Sequence, residues 1–387
     1  MSVKREKVEI LIVGAGFAGS ATAAALARRG LRSIAILEAE SIPGRHASGK
    51  NAAMARRVIA DPVLAALATQ SVAEIRTRTD VHGTPMLRAS GGLVIGDAAD
   101  IDRLQAGASE VAALRPDITR LDPAGLVARV PALAGAKASH GLYTKGCGVV
   151  DIHALLRSTL DAATQGGARL HLGHRVTEID MTGGRISGAV VNGDLWPCDL
   201  IINAAGPWAS RLGALAGADD QRLNPCRRHL YLSGPVAWDR THWPFVWDIT
   251  ENCYFRPEGE GLLMCACDVT PWRPEDPPTD PAERSRLARR FSSAFPTLAQ
   301  TTVATGWAGL RVLTPDDRFV IGSDPNVSGL FWVAGLGGHG MTCSSGVGEI
   351  AAHGIVEGRL PAPYATAFRP GRFAEATASN RRAQQRA

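Results

Sequence analysis

Three glycines near the N-terminus have the spacing of a turn that binds phosphate groups. Gly14, Gly16 and Gly19 stand between an apolar run, residues 8–13, and a helical stretch, residues 20–29. Gly14 would allow the tight turn, Gly16 would let the backbone approach a pyrophosphate, and Gly19 would let the helix pack closely on the strand. The N–H groups and the positive dipole end at the start of that helix would then face the phosphates.

A carboxylate follows at the position where nucleotide-binding folds contact ribose. The second predicted strand, residues 33–37, ends at Glu38, whose carboxylate would accept hydrogen bonds from both ribose hydroxyls and argues against a 2′-phosphate. The order of strand, glycine turn, helix, strand and acid predicts a bound dinucleotide. It leaves NAD and FAD open, because the two cofactors share this fingerprint.

The loop after Glu38 has the composition of a second phosphate-facing helix start. Polar residues 41–51 precede an apolar stretch, 52–59, that we interpret as a helix. Ser48 and Asn51 are typical helix-capping residues, which would bring N–H groups toward the cofactor.

Two further strands break into glycine turns that are followed by helices. An apolar strand at 199–203 gives way to Gly206, and a strand at 330–333 gives way to the glycine-rich run 335–342 and a helix, residues 344–356. Both breaks predict places where the backbone approaches the cofactor.

The composition is that of a globular protein with an enclosed site. The 387 residues are 45% apolar and 20% charged, which excludes a disordered chain, a collagen-like repeat and a small disulfide scaffold. The seven cysteines are odd in number and include no Cys-x-x-Cys pair, so they predict reduced thiols in a cytoplasmic protein, without a disulfide or metal framework. We interpret Cys265 and Cys267 as small core residues on one face of a strand at 262–267.

The net charge of +5 includes a basic C-terminal segment. We interpret it as a solvated end, with nucleic acid as the weaker alternative. Its arginines are Arg369, Arg372, Arg381, Arg382 and Arg386. The apolar stretch 10–27 is broken by glycines and lacks a cleavage site, so it predicts neither a signal peptide nor a membrane span.

The predicted elements divide the chain into two interleaved regions. We expect a Rossmann-like α/β nucleotide-binding domain and an α+β substrate domain that is mostly antiparallel β. The first comprises residues 1–80, 141–213 and 315–366, the second comprises residues 81–140 and 214–314, and residues 367–387 form the basic tail.

Together these segments resemble one family, the FAD-dependent D-amino-acid oxidase superfamily, which includes glycine and sarcosine oxidases and bacterial D-amino-acid dehydrogenases. The resemblance covers nearly the whole chain and is carried by residues 12–38, 46–49, 202–208, 307–311 and 337–341. The last run is the most specific, because the family has a glycine-rich turn and a helix N-terminus there against the flavin. Within the superfamily, residues 225–228, 252–255 and 307–311 are similar to the bacterial D-arginine dehydrogenases.

The resemblance implies FAD, bound without a covalent link, because the cysteine that attaches flavin in sarcosine-oxidase-like members is absent near Gly309. The residues it assigns to the cofactor are Gly14, Gly16, Phe17, Ala18, Gly19, Glu38, His46, Ala47, Ser48, Asn51, Val176, Ala205, Gly206, Trp208, Gly335, Gly337, Gly338, His339, Gly340, Met341 and Thr342.

The resemblance also assigns a carboxylate clamp. Arg228 and Arg311 would bind the substrate carboxylate, since a planar guanidinium matches it with two parallel hydrogen bonds. Strand alternation leaves open whether Arg227 or Arg228 faces the site.

Three other side chains are assigned to the reacting part of the substrate. Tyr254 would present its hydroxyl, and His46 and His339 would lie near the flavin. Either histidine, or a water, could take the ammonium proton.

The implied reaction is oxidation of an amino acid, of D configuration, at the Cα–N bond by hydride transfer to flavin. The imino acid formed would hydrolyse to a 2-oxo acid and ammonia. Leu263 stands where oxidases of the family have lysine, which favours a quinone-type electron carrier over oxygen as the acceptor. Residues 90–92 lack the glutamate of D-arginine dehydrogenases, which argues against a cationic substrate. Two alternatives stay open: an oxidase of N-methylated or other unusual amines, including aminophosphonates, and a redox sensor that binds flavin without turnover.

Overall fold

Two β-sheets, each assembled from distant segments of the chain, organise the fold. We describe residues 5–373 of a computed structural model, which form twenty strands, nine α-helices and four short 3₁₀ helices. The strands are β1 (Val8–Val13), β2 (Ile34–Glu38), β3 (Met54–Ala55), β4 (Leu87–Arg88), β5 (Gly92–Gly96), β6 (Ile118–Leu121), β7 (His140–Thr144), β8 (Gly148–Val150), β9 (Arg169–Leu172), β10 (Val176–Thr182), β11 (Arg185–Val191), β12 (Asp194–Asn203), β13 (Asn224–Ser233), β14 (Phe245–Asp248), β15 (Cys253–Glu258), β16 (Gly261–Cys265), β17 (Thr270–Pro271), β18 (Val303–Leu313), β19 (Val320–Ser323) and β20 (Leu330–Ala334).

The α-helices are α1 (Phe17–Arg28), α2 (Pro62–Ile75), α3 (Ala98–Ser109), α4 (Pro123–Arg129), α5 (Ile152–Gln165), α6 (Ala209–Leu215), α7 (Pro281–Ala294), α8 (Ser344–Val356) and α9 (Tyr364–Ala367). The 3₁₀ helices are Arg115–Asp117, Pro131–Leu133, Gly206–Trp208 and Pro296–Leu298.

The first sheet has a parallel core of five strands in the order β9, β2, β1, β12, β20. Strand β12 extends beyond this core and joins β11 and β10 in antiparallel ladders. Because side chains alternate along a strand, Ile12 and Ile36 pack into a core shared with α1, α5 and α8, whereas Leu11 and Leu37 pack into the core on the opposite face. The Rossmann-like α/β region predicted from the sequence is confirmed.

The second sheet is almost wholly antiparallel, in the order β17, β13, β16, β15, β14, β5, β7, β6, with β18 paired along β13. The ladder of β14 with β5 is its parallel exception. One face packs on α7, where the ring centroid of Phe255 lies 6.4 Å from that of Phe291. The mostly antiparallel β region predicted from the sequence is also confirmed, and its other face is turned toward a cavity.

The predicted helix at 52–59 is wrong. Met54 and Ala55 form a short strand, β3, paired with β8, and Ala53 has φ 60°. The cause lies in Asn51, whose Oδ1 accepts a hydrogen bond from the Ala53 N–H at 2.7 Å. Such a local side-chain bond stabilises a turn in competition with a helix.

Two smaller predictions hold only in part. Cys265 and Cys267 are core residues, as expected. However, strand β16 ends at Cys265, and Cys267 turns back with φ 50° so that its N–H donates to the Cys265 sulfur at 3.2 Å. Arg372 is not a solvated charge, because its guanidinium binds Asp316 at 2.8 Å and the side chain is 11% exposed. The predictions for Arg381, Arg382 and Arg386 lie outside the described residues.

The seven cysteines are all buried and free. In the part of the chain that the structure describes, no helix combines the length and the apolar character needed to cross a bilayer.

Candidate active site

A cavity of about 1000 Å³ lies between the two sheets. One wall consists of residues that follow β1, β12 and β20, and the opposite wall consists of residues of β13, β15 and β18. In open α/β sheets, ligands bind beyond the carboxyl ends of the strands, where helix N-termini also meet. The cavity therefore lies where this fold offers a cofactor site.

The predicted site residues line this cavity, with one exception. They are Gly14, Gly16, Phe17, Ala18, Glu38, His46, Ala47, Ser48, Asn51, Val176, Ala205, Gly206, Trp208, Arg228, Tyr254, Arg311, Gly335, Gly337, Gly338, His339, Gly340, Met341 and Thr342. Gly19 is the exception: a Cβ there would stand 1.9 Å from the carbonyl oxygen of Gly14. Its glycine lets α1 lie close to β1, which fits the packing role expected of it.

Glu38 holds the turn that follows β1. Its Oε2 accepts a hydrogen bond from the Ala15 N–H, and its Oε1 accepts one from the Glu40 N–H, both at 3.0 Å. Gly14 has φ 110°, and a Cβ there would stand 2.4 Å from the carbonyl oxygen of Ala204. The ends of β1, β2 and β12 thus converge, with the carboxylate at the cavity wall.

Ser48 caps α1 rather than a helix at 52–59. Its hydroxyl oxygen accepts a hydrogen bond at 3.0 Å from the Phe17 N–H, one of the first-turn donors that have no partner within a helix. The side-chain amide of Asn51 donates to the Ser48 carbonyl at 2.6 Å. These bonds fold residues 39–51 over the start of α1 and explain why both polar residues are needed there.

His46 lies in the cavity wall between a carboxylate and an aromatic ring. Its Nε2 is 3.1 Å from Oε1 of Glu40, and its ring centroid is 4.6 Å from that of Trp208. Glu40 also faces Arg45 at 3.6 Å and Arg175 at 4.0 Å. Glu40, which the sequence analysis did not select, therefore orients the imidazole.

Arg228 and Arg311 extend from the same face of two paired strands. In the ladder of β13 with β18, Arg228 stands opposite Gly309 and Arg311 stands opposite Cys226, so the two arginines are diagonal neighbours. Arg227 points to the other face and binds Asp280 at 2.7 Å. Of the two adjacent arginines, Arg228 is the one that lines the cavity.

Tyr254 and Cys265 stand opposite each other in the ladder of β15 with β16. Arg228 Nη1 lies 3.9 Å from the Cys265 sulfur. Burial alone would raise the pKa of the Cys265 thiol, but the hydrogen bond from Cys267 and the charge of Arg228 outweigh it and bring the pKa to about 6. Burial and the neighbouring Cys265 raise the pKa of Tyr254 well above its usual value, so its phenol remains a donor.

Besides Arg228 and Arg311, Arg56 is the third cavity-lining arginine of the described residues that is not exposed, and the sequence analysis missed it. Its guanidinium carbon lies 4.3 Å from the ring centroid of Trp247, and its Nη2 lies 3.5 Å from Nε2 of His339. The next residue, Arg57, points away and binds Asp117 at 2.6 Å. Side chains alternate along an extended segment, so a strand at this position would have predicted that Arg56 and Arg57 point to opposite sides. The predicted helix at 52–59 does not give that alternation.

His339 is neutral in this environment. Burial, followed by the positive charges of Arg56 and Arg311, lowers its pKa well below the usual value. Because a guanidinium only donates hydrogen bonds, the His339 Nε2 that faces Arg56 is the unprotonated, accepting nitrogen.

A second group of titratable side chains lies outside the cavity. His229, Asp268 and Glu283 bring their nitrogen and oxygen atoms within 4.8 Å of one another. His229 Nδ1 is 2.8 Å from the Asp268 carboxylate, and its Nε2 accepts the Asp280 N–H at 2.9 Å. Both ring nitrogens are therefore engaged, and the group ties β13 to the start of α7.

Comparison with known proteins finds one family over most of the chain. The family described as DAO, FAD dependent oxidoreductase, matches residues 9–353. "FAD-dependent oxidoreductase domain-containing protein 1" of Xenopus laevis is 30% identical over 193 residues, which cover 46% of this chain and 38% of that protein. "D-amino acid dehydrogenase" of Xanthobacter autotrophicus is 28% identical over 268 residues, which cover 66% of this chain and 60% of that protein.

The chain thus matches less than two thirds of the length of either relative. Among solved structures, L-proline dehydrogenase from P. horikoshii superposes with a TM-score of 0.84 at 21% identity, covering 96% of this chain and 99% of that one. At this identity the likeness concerns the fold.

Proposed function

Since this chain belongs to the DAO family of FAD-dependent oxidoreductases, we propose that it oxidises an amino acid at the Cα–N bond. The substrate loses a hydride from Cα and a proton from nitrogen and becomes an imino acid. Water then converts the imino acid to a 2-oxo acid and ammonia. FAD supplies the chemistry of accepting the hydride.

The residues at the cavity wall fit a dinucleotide. A Cβ at Gly14 or Gly16 would meet the Ala204 carbonyl or the Ser48 hydroxyl at 2.4 and 2.8 Å, so the turn keeps its backbone free for pyrophosphate. Glu38 would bind the adenosine ribose. The turn 335–342, with φ 66° at Gly335 and 53° at Gly337, would approach the flavin, without a covalent link.

The observation that carries the proposal is the pair Arg228 and Arg311. Both guanidiniums line the cavity from one sheet face, and among the described residues neither has a carboxylate partner within 4.0 Å. Buried cations are normally paired, so the pair supports a carboxylate of the substrate as the missing partner. Held at two points, an amino acid would present its Cα to the flavin in a reactive geometry.

We assign the amine proton to Nε2 of His339. Hydride leaves readily only from a neutral amine. The unprotonated imidazole supports a proton acceptor at that atom, and Nε2 would exchange its contact with Arg56 for the amine proton. Tyr254 would donate its phenol hydrogen to the carboxylate, since its raised pKa keeps it protonated.

The substrate configuration and the electron acceptor are finer parts of the proposal. The D configuration is supported by the name of the Xanthobacter relative. Leu263 is fully packed among apolar neighbours where oxidases of this family have lysine, which supports a quinone-type carrier as acceptor. The seven free thiols support a reducing compartment, the cytoplasm.

We assign nucleotide binding to residues 1–80, 141–213 and 315–366, and substrate binding to residues 81–140 and 214–314. The parallel strands β1, β2, β12 and β20 fall in the first set, and β13, β15 and β18 fall in the second. The cavity between them supports this division.

Anaerobic bleaching of the flavin by a panel of D- and L-amino acids tests the proposed function. Reduction by at least one amino acid, with formation of its 2-oxo acid and ammonia, is expected. N-methylated amines and aminophosphonates belong in the same panel, and bleaching by these alone would replace the amino-acid assignment. A yellow protein that no member bleaches would contradict catalysis and leave the redox-sensor alternative.

A further inference from the structure

The cavity carries more positive charge than one amino-acid carboxylate requires. Seven arginines line it, of which four are exposed at its rim and three, Arg56, Arg228 and Arg311, are buried or half-buried. None of these three has an ion pair with an aspartate or glutamate among residues 5–373. Arg56 comes from the segment after β3, and its guanidinium lies over Trp247 of β14, a strand of the sheet that bears the other two. Three guanidiniums thus converge on one enclosed volume.

The protein offers little to neutralise them. The Cys265 thiol, with a pKa of about 6, can compensate one charge beside Arg228. The thiols near Arg56, Cys147 and Cys343, have pKa values that burial raises, so they stay neutral. Burial and the repulsion of Arg311 lower the pKa of Arg56 to about 10, and at neutral pH it remains charged.

The number of positive charges favours a substrate with two anionic groups. Even with Cys265 counted as a thiolate partner of Arg228, a single α-carboxylate leaves one of the three guanidiniums without a partner. Arg56 is the one outside the proposed clamp, and its plane lies over Trp247 at 4.3 Å, which fixes the guanidinium by a cation–π contact. Its neighbour Arg57 has its own carboxylate, Asp117, so the sequence provides a partner for the structural arginine and none for Arg56.

We propose that the substrate is an amino acid with a second anionic group, a carboxylate or phosphonate, and that Arg56 binds that group and determines the preference for it. This inference rests on the proposed amino-acid oxidation. A fork of two N–H donors fits the oxygens of either group. The second group would lie beside Arg56 and Trp247.

Equilibrium binding of unreactive acids to the FAD-loaded protein tests this inference without turnover. Succinate carries two carboxylates and butyrate carries one on a chain of equal length, and both perturb the flavin spectrum if they bind at the site. We expect succinate to bind about 10- to 100-fold more tightly than butyrate, the usual contribution of one charged hydrogen-bonded pair. In Arg56→Met this ratio should approach one, and in Arg56→Lys it should be intermediate.

Arg103→Met is the matched control. Arg103 also lines the cavity, but it is 72% exposed and already binds Asp100 at 2.9 Å, so its removal should leave the ratio as in the unaltered protein. Equal affinity for the two acids in the unaltered protein, or the same ratio in Arg56→Met, would overturn the inference.

Sulfite binding separates a role toward substrate from a role toward flavin. If Arg56 stabilised negative charge on the flavin instead, Arg56→Met would weaken the flavin–sulfite adduct and leave the succinate-to-butyrate ratio intact, which would also overturn the inference. Flavin bleaching completes the design. Bleaching by glutamate or aspartate in preference to glutamine or asparagine supports both proposals. Bleaching by neutral amino acids alone contradicts only the proposal of a second anionic group. If no amino acid bleaches the flavin, the proposed oxidation is contradicted, and the succinate-to-butyrate ratio still tests whether Arg56 binds a second anionic group.

Discussion

The guanidinium of Arg311 lies against the backbone of Gly338. A Cβ at position 338 would stand 3.1 Å from Nη2 and 3.3 Å from Cζ of Arg311. Gly338 belongs to the turn between β20 and α8, which we assign to the flavin, and Arg311 belongs to β18, which we assign to the substrate. The turn assigned to the cofactor and the arginine assigned to the carboxylate clamp are therefore in direct contact, and the glycine provides the space for the arginine.

We expect Gly338→Ala to impair substrate binding more than cofactor binding. A contact of 3.1 Å is too short for a Cβ, so the guanidinium would shift by a few tenths of an ångström, while the flavin-facing turn could keep its backbone. Because small displacements of a positioning group are costly, kcat/KM should fall by about tenfold. Steady-state kinetics and the FAD content of the purified variant measure the two effects. Loss of FAD with unchanged kcat/KM per bound flavin would contradict this assignment of the contact.

Removal of the clamp itself should have a larger effect. Truncating one partner of a buried charged pair costs about 2–5 kcal/mol, so Arg311→Ala should lower kcat/KM by roughly two to three orders of magnitude. Arg311→Lys should recover only part of this loss, because a point charge does not reproduce the planar fork.

An amine that lacks a carboxylate is the control substrate for Arg311→Ala. Its turnover should change little, since it has no group for the clamp to hold. Equal damage to amine and amino-acid turnover, with normal FAD content, would show that Arg311 supports the fold or the flavin rather than the carboxylate.

The comparison of the two adjacent arginine pairs shows which features the sequence could predict. Arg227 and Arg228 lie in a region that the sequence predicts to be mostly β, and strand alternation indicates that one of the two faces the site without indicating which. The decision depends on Asp280, which lies 53 positions away in the chain and binds Arg227. A partner so distant cannot be read from local pattern.

The second pair, Arg56 and Arg57, was missed for a different reason. Ala52, Ala53 and Ala55 favour a helix by intrinsic propensity, yet the Asn51 side chain and the pairing with β8 override it. The glycine turns, by contrast, were predictable, because at Gly14 and Gly19 the permitted conformation and the lack of room for a Cβ leave glycine as the fitting residue. Local steric constraints can be predicted from the residue types in the sequence, whereas the tertiary partners of a side chain cannot.

Glu38 provides a test of the cofactor site. In Glu38→Gln one acceptor oxygen is lost, so either the Ala15 N–H or the Glu40 N–H loses its bond, and the proposed ribose contact becomes weaker. We expect FAD affinity to fall by about 10- to 100-fold, the equivalent of one hydrogen bond to a charged group, with the fold retained. Fluorescence titration of apoprotein with FAD measures the affinity, and circular dichroism checks the fold.

The same preparation tests the absence of a covalent link. Acid precipitation of the unaltered protein should release the yellow cofactor into the supernatant. Flavin retained in the pellet would contradict non-covalent binding, and unchanged affinity in Glu38→Gln would contradict the role of the carboxylate at the ribose.

The packed environment of Leu263 leads to a prediction about the electron acceptor. Leu263 is 2% exposed and contacts the core that contains Tyr254 and Cys265, so no ammonium group is present there to promote reaction with oxygen. Reduced enzyme exposed to air should reoxidise much more slowly than one turnover, and a soluble quinone should reoxidise it faster. Stopped-flow absorbance with peroxide detection measures both. Rapid reoxidation in air with stoichiometric peroxide would identify the protein as an oxidase.

The neutral state of His339 predicts a specific pH dependence. Burial, Arg56 and Arg311 hold the pKa of His339 well below 6.5, so between pH 6 and 9 the imidazole should remain an available proton acceptor and kcat should show no acid limb from it. Removing the positive charge in Arg56→Met favours the protonated form, so the pKa should rise toward the ordinary value of His, about 6.5. Burial and Arg311 remain in the variant, so the pKa should rise only part of the way. The loss of kcat on acidification should then begin at a higher pH in the variant than in the unaltered protein, because the protonated ring no longer accepts a proton. We choose kcat rather than kcat/KM since it reports groups in the substrate complex and excludes the titration of free substrate amine.

The double variant Arg56→Met/His339→Asn should lose this limb together with part of the rate. If the limb persists in the double variant, the titrating group is not His339, and the amine proton must be accepted at another atom.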